Sequence, residues 1–542
     1  MKKNYRLLAA ALAVLTAALL PSALASCTAQ PGTGGTTTEE ETASPAPDPI
    51  DLVKDGKSEF TLVVGRYADF YCDKMCYMIR DALAGSGAEI AVSTDYGLFL
   101  DSLDVLDRAK YLLEIESLAE GKEPGRFADA AALEASYDKS EPYEILVGET
   151  DRDESARAAA ELTGENSYIV RIDGHKIVIA ANSKPALLAA TEVFIAGLPE
   201  GGGDVRIDEL DKKGVAAAGE PREQLFFGMT QKEIDDSFSE LLDGLFTGKT
   251  REEIYRADIG QAFAMHFPDI IMIGGQYRAY YISYASPTPG TPSTGLAVSD
   301  NGLDWTPAGQ VIDPTTSYDN TGCAFAGVWE DEEGILYLAY EGSGKGRVGE
   351  VCLAVSFDGG DSWVNEGILY KHDADSLYWC KNNVGTPDLY KSGDTWYLTF
   401  HGYGKGGGNG GCQIGVAYGP SLRNLTVLKD PVIPTEKDTA WSGTTGRRDV
   451  LKCGEYYYMV YEVSTEEVGG AGYGGAHWSH MFARSKDMIN WEISEGPQLV
   501  QPYAGFGNDG PCWCIAEGKL YVFMRNVTNC TTAVALVPST GG

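Results

Sequence analysis

The sequence predicts a multidomain chain, an N-terminal α/β sandwich followed by an all-β five-bladed β-propeller. Between residues 55 and 215 short apolar runs alternate with alanine-rich helical stretches, which is typical of an α/β unit. Over residues 261–542 tyrosine, tryptophan and glycine replace the alanines, and a similar segment recurs about every sixty residues. The length of 542 residues is enough for roughly two to four folded units.

The chain begins with the pattern of an export signal. A positively charged start precedes an apolar run over residues 7–20 and the tetrapeptide Leu24-Ala25-Ser26-Cys27, which resembles a lipobox. The run is shorter than the roughly 20 residues that span a bilayer, so we expect a signal peptide over residues 1–27 and lipidation of Cys27. The alternative is plain secretion with an incidental cysteine. Residues 28–54 are expected to form a disordered tether at the outer face of the cell membrane.

The charge and the cysteines exclude several classes of partner. A formal net charge of −35 repels phosphate backbones and anionic lipid surfaces, so we expect no nucleic acid, membrane contact only through the N-terminal lipid, and a monomer. The eleven cysteines show no repeated metal-ligand spacing. A bridge between Cys512 and Cys514 would be strained, which favours packed thiols there. For Cys72 and Cys76 a disulfide and free thiols both stay open.

Residues 55–215 divide into predicted strands and helices. The strands are 60–64, 89–92, 144–148, 168–172 and 175–181, and the helices are 75–83, 155–162 and 183–198. The run 143–149, the Asp173-Gly174 turn and the helix from Ser183 resemble the small accessory domain that precedes the catalytic unit in hexosaminidases and α-glucuronidases. That resemblance implies a scaffold rather than a site of chemistry. The charged residues 216–260 are expected to form a helical linker.

The last part of the chain contains five similar segments. Each has a starting strand, a glycine turn and a tyrosine-rich second strand, and the starting strands align at Asp269, Val328, Asp388, Asp449 and Cys512. Segments that are long enough for four antiparallel strands indicate radial closure into a propeller, which leaves only short edges. Over roughly residues 267–537 these repeats resemble the five-bladed propeller glycosidases of glycoside hydrolase families 43, 32 and 117. The turn at 356–363 also resembles the Asp-box of sialidases, a structural turn remote from the active face.

Three carboxylates share the aligned position. Because the innermost strands of all blades start around one axis, Asp269, Asp388 and Asp449 are expected to converge. Glycoside hydrolysis needs two carboxyl groups beside the scissile bond, and a third shifts the pKa of a neighbour by like-charge repulsion. The alternative for each aspartate is a structural role, in which it accepts backbone hydrogen bonds in a turn.

The resemblance to family 43 implies specific roles for these residues. In that family a base Asp lies in the first blade, a pKa-setting Asp in the third and an acid Glu in the fourth, so Asp269 and Asp388 match the first two. The family places each Asp just before a proline, where this sequence has Phe267 and Thr386. Since side chains on a strand alternate with period two, we expect Asp269 to point the same way as residue 267.

The fourth blade has no Glu at the family position of the acid. Candidates lie at the ends of second strands, which return to the same face, and they are Glu462, Glu341 and His401. Glu462 ranks first because it belongs to the fourth blade, and Asp449 is the other candidate for the acid. A glutamate beside tyrosines and another carboxylate has a raised pKa suited to protonating a leaving group.

Further polar and aromatic residues are predicted to bind the sugar. The candidates for substrate binding are His266, Trp329, Glu341, His401, Arg448 and Asp509, with Trp441 and Trp478 as further stacking residues. Packing inside a propeller is the alternative for the tryptophans. Arg447 and Arg448 would either pair with Asp449 or bind a carboxylated sugar.

The sequence thus predicts an extracellular glycoside hydrolase that uses carboxylate acid/base catalysis on oligo- or polysaccharides. Two alternatives stay open, a non-catalytic glycan-binding lipoprotein and, less favoured, a sialidase-like enzyme, which would need an arginine cluster. No cofactor is predicted, and a structural calcium ion in the axial channel is compatible with the sequence.

Overall fold

A computed structural model describes most of the chain after the predicted tether. The described residues are 49–95, 141–199, 201–219, 222–247, 253–259, 265–285, 290–316, 318–344, 349–372, 379–404, 412–434, 444–464, 478–494, 509–525 and 531–536. The predicted signal peptide, Cys27 and Trp441 lie outside these ranges. Within them, none of the helices combines the length and the apolar character that crossing a bilayer requires.

The first unit is an α/β domain, as predicted. Its strands are β1 (Ile50–Val53), β2 (Thr61–Val64), β3 (Val92–Thr94), β4 (Glu144–Val147), β5 (Ser167–Asp173), β6 (Lys176–Ala181), β7 (Val205–Ile207) and β8 (Asp211–Val215), and its helices are α1 (Phe70–Leu83), α2 (Asp153–Glu161) and α3 (Lys184–Ala196). The main sheet has the order β3-β2-β4-β6-β5-β8, and β1 pairs with β7. Strands β2, β3, β4 and β6 are parallel, whereas β5 is antiparallel to β6 and β8.

Local sequence explains where these elements begin and turn. The Ser183 side chain accepts a hydrogen bond from the backbone N–H of Ala186, and Pro185 lies in the first turn of α3, which is the preferred start of a helix. The hairpin from β5 to β6 turns at Gly174, whose φ is +66°. Every residue of β4 is buried, which is typical of a central strand covered on both faces.

Five four-stranded antiparallel sheets form the propeller and confirm the predicted fold. Blades one to four are β10 (His266–Ile273), β11 (Gln276–Ser283), β12 (Ser293–Ser299) and β13 (Thr306–Ile312); β14 (Gly322–Glu330), β15 (Leu336–Ser343), β16 (Glu350–Ser356) and β17 (Val364–Tyr370); β18 (Asn383–Ser392), β19 (Thr395–Tyr403), β20 (Cys412–Ser421) and β21 (Asn424–Val427); and β22 (Thr444–Cys453), β23 (Tyr456–Ser464), β24 (Trp478–Ser485) and β25 (Trp491–Ile493). The predicted Asp-box is a turn in which Ser356 Oγ donates to Asp358 Oδ1 at 2.8 Å.

The fifth blade corrects the predicted linker. It contains β26 (Asp509–Ala516), β27 (Lys519–Arg525) and β28 (Thr531–Leu536), and its outer strand is β9 (Glu253–Ile259), which pairs with β28. Residues 253–259 were expected to be helical but form this strand, and among the described residues of the predicted linker the helix is α4 (Gln231–Phe246). The first and last strands of the propeller therefore close the ring together.

The α/β domain and the segment after it contact the face that carries the turns between first and second strands. The Arg423 guanidinium, in the turn between β20 and β21, forms an ion pair of 2.8 Å with Asp73 of α1. Phe70 of α1 packs edge-on against Tyr337 with ring centroids 5.8 Å apart. Phe226 packs against Trp329 at 5.5 Å. The opposite face, where the innermost strands begin, is the one called the inner-strand face below.

A β-bulge interrupts each innermost strand near its start and changes two predictions. The pairing shifts between His266 and Asp269, and it shifts in the same way in the other four blades. The inserted residue breaks the period of two, so Phe267 and Asp269 do not share a side of the strand as expected. By pairing, the positions that match Asp269 are Gly327, Asp388, Arg448 and Cys512. Val328 and Asp449 thus lie one residue further along their strands.

We predict that Arg423→Met destabilises the protein. Asp73 is buried and Arg423 is largely so, and loss of the guanidinium leaves the carboxylate without its partner, which typically costs about 3–5 kcal/mol. Lys232→Met is the control, because its ion pair with Asp236 is exposed and exposed pairs contribute little to stability. Urea unfolding of both variants measures the difference. Equal effects would contradict a stabilising contact between the two units.

Candidate active site

The three predicted aspartates converge on the propeller axis. One carboxylate oxygen from each of Asp269, Asp388 and Asp449 lies within 4.8 Å of the others. Asp269 and Asp388 are only 4% exposed. The predicted convergence is therefore found, although Asp449 reaches the axis from a different position on its strand.

Each of these carboxylates is already bonded to the protein. Asp269 Oδ2 accepts a hydrogen bond of 2.7 Å from the backbone N–H of Val328 in the next blade. Asp449 Oδ2 accepts one of 2.6 Å from Trp513, also in the next blade. Such bonds tie successive blades together at the axis, which is the structural role that the sequence left as an alternative.

Arg447 compensates part of the negative charge. Its fully buried guanidinium donates from Nη2 to Asp269 Oδ1 at 2.8 Å and from Nη1 to the carbonyl oxygen of Pro387 at 3.1 Å. The sequence suggested a pair with Asp449, but the short ion pair of Arg447 is with Asp269. Arg447 lies at the start of the fourth blade, where the family carries its glutamate. The sequence did not predict its ion pair with Asp269.

Burial and mutual repulsion keep protons on this cluster near neutral pH. Burial, and then the Asp269 charge, raise the pKa of Asp388 to about 7, while Arg447 opposes the shift. Burial together with Asp388 and Asp269 raises the pKa of Asp449 well above its ordinary value. Burial also raises the pKa of Asp269, and Arg447 acts against that rise. The three groups are not all ionised at pH 7.

The space beside the aspartates is too small for a sugar. A cavity of about 80 Å³ is lined by the three carboxylates, Trp329, Tyr390 and the segment Gln224–Phe227, whereas small-molecule sites typically occupy about 300–1,000 Å³. Trp329 is 6% exposed and contacts Tyr390 at 4.6 Å, so packing accounts for it.

The three axial carboxylates lie close enough together to hold a metal ion. Calcium takes about 6–8 oxygen ligands, and Arg447 already supplies positive charge to Asp269. The structural calcium ion that the sequence allowed stays a prediction.

A second polar cluster lies at the inner-strand face, where second strands end. Thr386 Oγ1 accepts a hydrogen bond from Arg448 Nη1 at 3.0 Å and lies 2.9 Å from His401 Nδ1. His401 Nε2 lies 3.1 Å from Asn383 Oδ1. Burial and the Arg448 charge lower the pKa of His401 to about 3, so the ring is neutral and donates from Nε2 to Asn383. Arg448 is fully buried and is bonded to protein groups rather than exposed to a substrate.

Glu341 belongs to this cluster and is suited to donate a proton. Its Oε2 accepts a hydrogen bond of 3.0 Å from the backbone N–H of Thr386. Burial raises the pKa of Glu341 to about 7, against the opposing effects of that bond and of Arg448. Gly349 and Gly385 leave the space that the Glu341 carboxyl group occupies, because a Cβ at either position would displace it.

Glu462 is held as an acceptor at the start of the fourth and fifth blades. Its Oε1 accepts from the backbone N–H of Arg447 at 2.8 Å, and its Oε2 accepts from that of Gly510 at 2.6 Å. Hydrogen bonds from backbone N–H groups to a carboxylate are charge-assisted and stabilise its ionised form. A Cβ on Gly446 would collide with Oε1, so the chain leaves room for this side chain.

Glu341 and Glu462 act on common neighbours. Burial raises the pKa of Glu341, and the charge of Arg448 opposes that rise. Burial lowers the pKa of Arg448 to about 9, and the charge of Glu462 opposes that fall. Burial raises the pKa of the Cys412 thiol, and the charges of both glutamates add to the rise. Two carboxyl groups, one protonated near neutrality and one held as an acceptor, therefore lie around the same buried arginine.

The other predicted binding residues lie at or near the same face. His266 is half-buried, and burial together with Arg525 lowers its pKa. Asp509 begins β26 and pairs with Arg525 through the backbone. Trp478 begins β24. The thiols of Cys72, Cys76, Cys512 and Cys514 are free, and the last two are buried as predicted.

Comparison with known proteins also relates the propeller to glycoside hydrolases. Residues 268–411 match the glycosyl hydrolases family 32 N-terminal domain. The match supports a glycosidase, and the predicted resemblance to propeller glycosidases is confirmed for this part of the chain. No curated protein matches the sequence.

Solved structures with similar folds include three enzymes. A glycoside hydrolase has 19% identity and a TM-score of 0.44 over 56% of this chain and 96% of its own. A thermostable family-43 glycoside hydrolase has 17% identity and a TM-score of 0.42, over 52% and 91%. An exo-1,5-α-L-arabinanase from a bovine ruminal metagenomic library has 16% identity and a TM-score of 0.37, over 50% and 92%.

We predict that Glu341→Gln changes how stability depends on pH. The folded protein holds this proton up to about pH 7, whereas the unfolded chain releases it near the ordinary pKa of 4.5, so the wild type loses stability as pH rises through that window. Glutamine does not titrate. Relative to pH 4, the variant should gain up to about 3 kcal/mol over the wild type at pH 8. Urea unfolding at both pH values measures this, with exposed Glu492→Gln as the control. A difference that does not vary with pH would contradict the raised pKa.

Proposed function

We propose that the protein is an exported glycosidase, anchored through Cys27, that cleaves an extracellular oligo- or polysaccharide with Glu341 as proton donor and Glu462 as the second carboxylate. Two observations carry this proposal: burial raises the pKa of Glu341 to about 7, and two backbone N–H groups hold Glu462 at the same inner-strand face. The match of residues 268–411 to a glycosyl hydrolase domain supports the reaction class. The proposal requires neither a cofactor nor a second subunit.

The two glutamates have complementary roles in this reaction. Cleavage of a glycosidic bond needs one carboxyl group to protonate the leaving oxygen and another to act as base or nucleophile at the sugar. Glu341 retains its proton near neutrality and bonds to Thr386 N–H through Oε2, so Oε1 is the oxygen available to hold the proton. Glu462 accepts one backbone N–H on each oxygen, which holds its carboxylate in place at the inner-strand face as the second carboxyl group.

In this proposal the axial aspartates do not touch the substrate. Asp269 and Asp449 hold neighbouring blade starts together through backbone N–H groups, Asp269 also through Arg447, and Asp388 lies against them at the axis. Asp269 as base and Asp388 as modulator, the roles that the family 43 resemblance implies, remain the competing assignment. The two assignments differ in which variants lose activity.

A glycan-binding protein without catalysis is the second candidate. Phe267 and Thr386 occupy the positions where family 43 carries carboxylates, and Asp269 has both oxygens bonded. Binding needs only aromatic groups and hydrogen-bond donors, which the inner-strand face also has. No substrate turnover by the wild type would favour this reading.

The test is hydrolysis of 4-nitrophenyl arabinofuranoside, xyloside, galactoside, fructoside and sialoside, and of arabinan, xylan and galactan. Glu462→Gln should lose about 10²–10⁴-fold activity on all substrates that the wild type cleaves. Glu341→Gln should lose as much on polysaccharide but less on 4-nitrophenyl glycosides, because nitrophenolate leaves without a proton. Glu492→Gln, an exposed blade-four residue, is the control.

Two outcomes would reject this assignment. If Asp269→Asn folds and loses activity while Glu341→Gln retains it on polysaccharide, the axial trio is the catalytic site. If the wild type cleaves none of the substrates, the glycosidase proposal gives way to glycan binding.

A further inference from the structure

Two phenylalanines at the propeller axis adopt a backbone conformation that bulky residues rarely take. Phe267 has φ +50° and Phe325 has φ +53°. Both occupy the bulge in their innermost strands. In this left-handed region the Cβ of an L residue is crowded, and a bulky side chain there is a genuine outlier. Conformations of this kind persist mainly where a side chain serves a function.

The bulge itself does not require phenylalanine. The same position in the fifth blade is Gly510, whose φ of +61° is free of that crowding. In the third blade it is Thr386, whose hydroxyl is bonded to Arg448 and His401. Threonine therefore has contacts that explain it, and glycine shows that the backbone needs no side chain. The two phenylalanines call for a role of their own.

The two rings form a partly exposed platform beside Glu462. Their centroids are 4.9 Å apart in an edge-on arrangement, and neither ring is fully buried. A Cβ on Gly510 would collide with the Phe267 ring, and the N–H of Gly510 donates to Glu462. The ring and the proposed catalytic carboxylate thus contact the same residue. The Arg525 guanidinium lies 5.2 Å from the centre of the Phe267 ring.

The surroundings of the platform are polar. Glu341 pairs through the backbone with Ala324, the residue before Phe325, and accepts the N–H of Thr386 in the third blade. His266 precedes Phe267 in the chain, and its ring centroid lies 6.1 Å from that of Tyr284. Tyr284 is 59% exposed. An apolar floor with a few convergent hydrogen-bonding groups is the composition of a small-molecule site. A sugar ring has one face of C–H groups and a rim of hydroxyl groups, and so matches both parts.

We propose that Phe267 and Phe325 form a stacking subsite for the C–H face of the sugar ring that is bound next to Glu462. This subsite rests on the proposed function, because it places the sugar against the proposed catalytic pair. Stacking on the platform orients the ring, and the polar groups around it bind the hydroxyls. The two rings come from adjacent blades and meet with their centroids 4.9 Å apart.

The test uses methyl α-L-arabinofuranoside, methyl β-D-xyloside and methyl β-D-galactoside, none of which brings an aromatic group. Saturation-transfer NMR on the full chain should show transfer to sugar C–H protons for the wild type with at least one of them. In Phe267→Gly/Phe325→Gly this transfer should fall about tenfold. Glycine suits the left-handed backbone, so the variant avoids the strain of other substitutions. Glu517→Gly, at a φ of +50° in the turn between β26 and β27, is the matched control and should bind like the wild type.

The outcomes separate the subsite from the function. If the double variant keeps its melting temperature and binds as the wild type does, the stacking subsite is wrong while glycan recognition stands. If the double variant unfolds, Phe267→Leu and Phe325→Leu replace it, and wild-type binding by both would equally overturn the subsite. If the wild type neither binds these glycosides nor cleaves arabinan, xylan or galactan, the proposed function and the subsite fail together.

Discussion

The buried guanidinium of Arg447 is the interaction on which the centre of the propeller depends. It bonds to the Asp269 carboxylate and to the carbonyl oxygen of Pro387, while the N–H of the same residue donates to Glu462. One residue thereby connects the first, third and fourth blades to a carboxylate at the inner-strand face. Leaving a buried charge without its partner typically costs about 3–5 kcal/mol, so the position of Glu462 is coupled to the charge balance of the axis.

The bulges at the blade starts connect the fold to the chemistry. A regular strand would pair every N–H at this point, whereas a bulge leaves a residue outside the ladder. The N–H groups of Thr386 and Gly510, both at bulge positions, donate to Glu341 and Glu462. Buried N–H groups need an acceptor, and buried carboxyl groups need donors. The same hydrogen bonds therefore satisfy the backbone and fix the two glutamates.

Sequence reasoning predicted the repeated blades, the helix start and the hairpin turn, and it missed a long-range strand pair and the β-bulges. The helix after Ser183, the hairpin at Gly174 and the five blades follow from local signals that act over a few residues. Strand β9 was missed because its partner β28 lies more than 250 residues away, and a helical linker explained the local charge pattern equally well. The bulge was missed because its inserted residue is Phe267, with no glycine to mark it. A glycine as in the fifth blade would have been the signal.

Electrostatics at the axis separates two groups of carboxyl groups along the propeller, the three axial aspartates and the two glutamates at the inner-strand face. Three carboxylates within 4.8 Å share one short ion pair, and taking each charge out of water costs several kcal/mol. They respond by holding protons, because burial and mutual repulsion raise the pKa of Asp388 to about 7 and that of Asp449 well above its ordinary value. A carboxyl group that keeps its proton cannot serve as a base. Glu341 and Glu462 lie at the inner-strand face in different settings, because burial raises the pKa of Glu341 to about 7 whereas Glu462 accepts backbone N–H groups on both oxygens. Carboxyl groups in different settings are suited to separate acid and base roles.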